Sequence, residues 1–225
     1  DDLESEYFST QFWNETNAQK DGTIKRSTQF ASMPGNWIFS GPHFYLGNSF
    51  NKTPRSICHL NSDYDPLDLT ILPDNFLPRT NYIPACDEII YKNKIHKVQW
   101  HNETYLITDL YRVVTRKRLS IFGERTLISC IMPKNAAHII GCFSLSFYNT
   151  SLMVVISALF QSLPYDFFVK TSGRSDFLDD LAKQLPIIHH TRQDSHMNIR
   201  TLMLNCLTTH YAELWEDCWD ETFKK

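Results

Sequence analysis

Nine lysines and arginines (Lys92, Lys94, Lys97, Arg112, Arg116, Lys117, Arg118, Arg125 and Lys134) stand against four acids between residues 88 and 134, a local net charge of +5. Cations at this density suit phosphate oxygens, although an unevenly charged solvated surface gives the same count. Residues 176–225 have the opposite balance, five basic against nine acidic. The whole chain carries −3 at neutral pH, which argues against indiscriminate binding to polyanions. A basic centre between acidic ends fits a nucleic-acid face flanked by protein-facing segments.

Tests for self-sufficient catalysis come out negative. The seven glycines are scattered, and there is no phosphate loop, dinucleotide fingerprint or Gly-x-Ser-x-Gly elbow. No Cys-x-x-Cys pair is present, so a closed zinc site is not expected. Cys206 and His210 are four residues apart within an apolar stripe, where core packing explains them better than a metal does. Pro164-Tyr165-Asp166 followed by Lys170 has the outline of a nuclease motif but lacks the further carboxylates a Mg²⁺ ion requires, and it reads as a helix-end turn. A metal-dependent nuclease built from Asp63, Asp65, Asp68 and His59 stays open as an alternative. No catalytic or metal-ligating set is assigned.

The elements that position the basic residues follow from periodicity. With 42% hydrophobic and 21% charged residues, 225 residues bury a core, which excludes a disordered or coiled-coil chain. No apolar run is long enough to span a bilayer, so no membrane partner is expected. The first residues, Asp1-Asp2-Leu3-Glu4, lack a secretory signal and an initiator Met, which is expected of a cytoplasmic chain cut from a longer one. The six widely spread cysteines read as buried thiols, and four Asn-x-Ser/Thr triplets as chance.

Leu3, Tyr7, Phe8 and Phe12 predict a short N-terminal helix over 3–17, and residues 23–30 and 37–39 read as extended. Five prolines between 51 and 84 predict an ordered loop that packs. Segments 111–118 and 125–132 alternate as two antiparallel strands, with Arg112, Arg116 and Arg118 projecting from one face of the ribbon. A third strand is expected within 138–147. Asn149 caps a helix over 152–163 that Pro164 ends or bends, and a shorter helix begins near Ser175. Apolar residues from Ile199 to Trp219 at three- and four-residue steps predict one amphipathic helix of at least six turns.

Several strings, in order, carry a resemblance: Asn48-Ser49-Phe50-Asn51-Lys52-Thr53-Pro54-Arg55, Tyr64-Asp65-Pro66-Leu67-Asp68-Leu69-Thr70, Leu77-Pro78-Arg79-Thr80-Asn81-Tyr82-Ile83-Pro84, Tyr111-Arg112-Val113-Val114-Thr115-Arg116, Gly123-Glu124-Arg125-Thr126 running to Pro133-Lys134, and Ser162-Leu163-Pro164-Tyr165-Asp166 running to Lys170. Together they resemble the C-terminal region of large adenine-specific DNA methyltransferases, the type IIG restriction–modification enzymes and their relatives in BREX and DISARM phage defence. The resemblance covers roughly residues 1–220 and implies a target recognition domain. The methyltransferase's Asn-Pro-Pro-aromatic motif and its glycine-rich S-adenosylmethionine loop are absent, so that cofactor is expected only in the parent enzyme and no methylation from this chain.

The fold expected on this basis is α+β, a mixed, largely antiparallel sheet of target-recognition type with packed helices. Residues 1–190 form the recognition domain, with a β-rich centre over 37–147, and 191–225 form the long helix, which packs on it or on a partner domain. Expected partners are double-stranded DNA and the methyltransferase domain of the same parent chain. Lys52, Arg55, Arg116, Lys117, Arg118 and Lys134 are candidates for phosphates, with Thr53 beside them; Arg79, Asn81, Arg112 and Arg125 are candidates for base edges. The competing structural readings are a salt bridge for Arg125, loop capping for Arg79-Thr80-Asn81 and core packing for Tyr45, Tyr82 and Trp100. A protein–protein interaction module is the other alternative.

Overall fold

The computed structural model describes residues 6–186 and 194–224. Its architecture is α+β, with antiparallel pairing predominant. In chain order the elements are β1 (Tyr7–Thr10), α1 (Glu15–Lys20), β2 (Ile24–Phe30), β3 (Ile38–Phe39), β4 (Lys52–Pro54), β5 (Tyr64–Pro66), β6 (Arg79–Pro84), α2 (Glu88–Lys94), β7 (Lys97–Trp100), β8 (Glu103–Leu106), β9 (Arg112–Arg116), β10 (Ser129–Met132), β11 (Ala137–His138), β12 (Cys142–Phe147), α3 (Thr150–Gln161), α4 (Leu163–Thr171), α5 (Asp179–Ala182), α6 (Asp194–Asn205) and α7 (Ala212–Asp217).

A four-stranded antiparallel sheet in the order β1-β12-β9-β10 forms the centre. The predicted ribbon pairing is present: Val114 faces Cys130 across β9 and β10, and Ser144 on β12 faces Val114 from the other side. Both faces of this sheet are covered, so Val113 and Val114, which point opposite ways, are each fully buried. Helix α3 packs against β9, β10 and β12 on one face. On the other, Arg112 meets Phe12 and Ala136, and Arg116 meets Gly41 and Phe44. The remaining strands form two-stranded ladders, of which β3–β11 is parallel.

Helix α3 begins where expected because the Asn149 side chain accepts from the Leu152 N–H at 3.0 Å. Pro164 does not stop the chain. It occupies the first turn of α4, where its missing N–H costs nothing, and the two helices meet at 65°. Among the described residues no single helix is long and apolar enough to cross a membrane; by composition and length this bent pair qualifies, but most of α3 is core.

Three expectations need correction. The N-terminal segment pairs as β1 along β12 from Tyr7 to Thr10, because the sheet edge offers its backbone a ladder that the apolar spacing did not reveal. The proline-rich stretch contributes β4, β5 and β6; Pro54, Pro66 and Pro84 sit at strand ends in two-stranded ladders, where a missing donor is tolerated. The long C-terminal helix is broken after Asn205, whose side chain turns into the core, and α7 resumes at Ala212. Trp215 Nε1 donates to the Cys206 carbonyl at 3.1 Å, satisfying a group the break leaves free of the ladder. The boundary expected at 190/191 falls outside the described residues, as does Leu3.

Candidate nucleic-acid interface

The ribbon does not project its charges. Arg112 is fully buried, its guanidinium bonded to the Ala136 and Leu110 carbonyls and stacked over Phe12 at 5.3 Å, and burial pushes its pKa down to about 9. A DNA contact by Arg112 is therefore corrected: no part of it reaches solvent. Arg125 is likewise committed, donating to the Gln161 carbonyl at 2.7 Å and lying 3.4 Å from Asp166, with its side chain only 13% exposed. The salt bridge expected for it exists, with Asp166 on α4 as its partner. Asp166 is no helix-end turn residue either; from inside α4 it accepts from the Thr126 and Leu127 N–H groups.

Asn81 is also structural. Its amide donates to the Tyr64 hydroxyl at 2.9 Å and its carbonyl accepts from Thr28, within a buried network that continues through Ser40 to His43. The Ser40 N–H donates to His43 Nδ1, so Nε2 carries the proton and donates to the Arg79 carbonyl. Burial lowers the His43 pKa to about 4 and holds the ring neutral. Thr53 accepts from the Arg79 N–H, and the Arg79 guanidinium lies over Phe30 at 4.3 Å. This network fixes β4, β5 and β6 relative to the turn at Gly41–His43.

Upon that foundation lies an open cleft of about 880 Å³. Lys52 from the start of β4, Arg116 from the end of β9 and Arg118 just beyond it converge on it, with Tyr45, Asn51 and Asn61 between them. Arg116 reaches it from a half-buried position, anchored to the Gly41 carbonyl at 2.8 Å and the Phe44 carbonyl at 2.6 Å, and near the Tyr45 ring. Gly41 is packed against the Arg116 side-chain stem. Arg118 is 80% exposed and pairs with Asp176 at 3.3 Å. Glu15 and Glu124 stand at the lining, so the charge is a mixed field with a cationic excess of one.

The other candidates lie elsewhere. Lys117 donates to Gln11 at 2.8 Å, Arg55 pairs with Asp65 at 2.8 Å, and Lys134 pairs with Glu213. Of the acids in the nuclease alternative, Asp63 accepts from the His59 and Leu60 N–H groups, Asp65 pairs with Arg55, and Asp68 accepts from the Thr70 N–H. Among the described residues no group of three or more His, Cys, Asp or Glu side chains is placed to hold a metal ion. Asn61 and Glu15 were not singled out in the sequence, and Asn51 entered only as part of a string and a triplet, not as a site residue. Their only signal was proximity to a turn, and it is the β4–β5 ladder that carries Asn51 and Asn61 to the cleft.

No protein-family model matches the chain, and no curated protein matches it by sequence.

Proposed function

We propose that the chain recognises double-stranded DNA through the cleft between Lys52 and Arg118, as the target recognition part of a large adenine-specific DNA methyltransferase of the restriction–modification or phage-defence kind. The observation that carries this reading is the convergence of Lys52, Arg116 and Arg118, which lie far apart in sequence, on one open cleft with amides and a tyrosine. Lysine and arginine set register on phosphates, and asparagine amides are suited to adenine edges. The order of the sequence strings supports the same reading independently.

S-adenosylmethionine does not fit these residues. The glycines are isolated along the chain, and Gly47, with φ of +62°, packs against Gln161 and Leu204 rather than opening onto a cradle. The transfer chemistry and its cofactor belong to a neighbouring catalytic domain, and this chain's role is to choose the site at which the adenine is presented. The exposed Leu163 and Phe167, one turn apart on α4, suit contact with such a protein neighbour.

The test is binding of the chain to a short duplex across a salt series. Affinity should fall steeply with salt, and Lys52→Ala and Arg118→Ala should each weaken it and reduce the salt slope by about one. A folded chain that ignores duplex DNA at low salt refutes the reading.

A further inference from the structure

The loop joining β9 to β10 holds a phenylalanine almost entirely in water: Phe122 is 94% exposed. Ile121 beside it is partly exposed as well, and small exposed apolar groups need no explanation in themselves. The placement of this one calls for one, because Arg118 and Glu124 on either side of it both line the cleft. The loop is also fastened at its base. The Leu119 N–H donates to the Ser175 carbonyl at 2.9 Å, Thr126 donates to the Ser120 carbonyl at 3.1 Å, and Lys170 reaches the Gly123 carbonyl at 3.3 Å. Gly123 allows the tight return: a Cβ there would lie 3.1 Å from the Arg125 carbonyl oxygen. Anchored flanks with an aromatic ring left outside make a presented side chain, with no packing role in the fold.

Resting on the DNA reading above, we propose that Phe122 is a wedge that enters the base stack of a duplex lying in the cleft. A ring of this size gains by leaving water, and apolar side chains inserted at a base step unstack it while flanking cations hold the backbone. Arg118, four residues away and exposed, supplies such a cation. In a reaction that must extrude an adenine, a wedge lowers the cost of opening the stack.

The experiment compares Phe122→Ala, Phe122→Trp and Arg118→Ala on a duplex carrying 2-aminopurine, whose fluorescence rises on unstacking. Phe122→Ala should bind about tenfold more weakly, the scale of one aromatic–base stack. It should keep the wild-type salt slope and melting temperature and abolish the fluorescence rise. Phe122→Trp should retain both affinity and signal. Arg118→Ala should instead lower the salt slope. If Phe122→Ala binds and brightens the probe as wild type does while Arg118→Ala loses affinity, the wedge is refuted, the DNA reading stands, and Phe122 serves a protein contact. If the wild type binds no duplex at all, the functional reading itself fails.

Discussion

Asp166 on α4 reaches across to the segment before β10 and holds Arg125 as well as the backbone there: Oδ1 accepts from the Thr126 and Leu127 N–H groups at 2.8 and 2.7 Å, while Oδ2 lies 3.4 Å from Arg125 Nε. The two partners are unequal. Asp166 is held by two well-formed hydrogen bonds, whereas Arg125 Nε has no aligned acceptor and the guanidinium relies on the Gln161 and Ser162 carbonyls. Asp166→Ala strands two buried N–H groups and a buried cation and should cost about 3–5 kcal/mol. Arg125→Ala leaves the carboxylate bonded and should cost less. Denaturant midpoints of the two variants check the order; equal losses would show that the ion pair, not the backbone capping, holds the α4 junction.

Arg112 presents the opposite situation, a buried guanidinium with Nη1 lacking a partner and no carboxylate bonded to it among the described residues. Burial depresses its pKa, so holding the charge opposes folding at neutral pH. Arg112→Met keeps most of the stem's packing and removes the charge, and should be neutral or stabilising by up to about 3 kcal/mol. Arg112→Ala should destabilise by about 2–4 kcal/mol through the cavity it leaves. Because Arg112 is sealed, Arg112→Met should also leave duplex affinity unchanged. A stability loss as large as that of Arg112→Ala would show that the guanidinium is needed for more than its stem.

The pH dependence follows from two buried histidines. Burial lowers His43 to about 4 and His138 to about 3, against an ordinary value near 6.5. Between these values the unfolded chain takes up protons that the folded chain refuses, so stability rises with pH there. It is fully present above about pH 6.5 and is lost as pH falls toward 4, by an order of 3 kcal/mol for each ring. The hydrogen bonds fix opposite tautomers: His43 accepts at Nδ1 from the Ser40 N–H, while His138 Nδ1 donates to the Ile139 carbonyl and Nε2 accepts from Ser144. Urea midpoints between about pH 7.5 and about pH 4.5 should fall steeply in the wild type, and His138→Gln should flatten the slope. An unchanged slope in the variant would assign the acid sensitivity elsewhere.

Local signals in the sequence located what local physics decides. The alternation of Arg112, Val114 and Arg116 identified β9 and its pairing with β10, and the capping oxygen of Asn149 identified the start of α3. Alternation reports which side chains share a face, not whether another layer lies over it. The residues around Phe12, Gly41 and Phe44 that cover the arginine face are far away in sequence, so the buried fate of Arg112 and the anchoring of Arg116 were not legible. The cleft was legible only in pieces for the same reason: Lys52 and Arg118 were chosen for their charge, but their meeting depends on the parallel β3–β11 ladder and the Ser40–His43 turn. The apolar repeat from Ile199 to Trp219 is borne out in part as burial: Leu202, Cys206, Tyr211, Leu214 and Cys218 are core, while Met203, Leu207 and Trp219 are exposed. A periodic stripe does not show where a side chain such as Asn205 leaves it to bond another element.

That departure protects the outer edge of the central sheet. Among the described residues strand β10 has no strand neighbour beyond it, and its outward groups are met one by one: Gly47 N–H donates to the Ser129 carbonyl at 2.9 Å, Asn205 accepts from the Ile131 N–H at 2.8 Å, and Tyr211 donates to the Ile131 carbonyl at 3.0 Å. An unpaired edge invites pairing with another chain, so these contacts both stabilise the fold and shield it. Asn205→Leu leaves the Ile131 N–H buried without an acceptor and should cost about 1–3 kcal/mol. Tyr211→Phe removes the hydroxyl that bonds both the Ile131 carbonyl and Ser49, from a ring otherwise fully packed, and should cost about 1–3 kcal/mol. Hydrogen exchange at the Ile131 amide should accelerate in Asn205→Leu by more than its global stability loss explains. Protection at Ile131 that falls only in step with global stability would mean that the edge opens only when the whole sheet does.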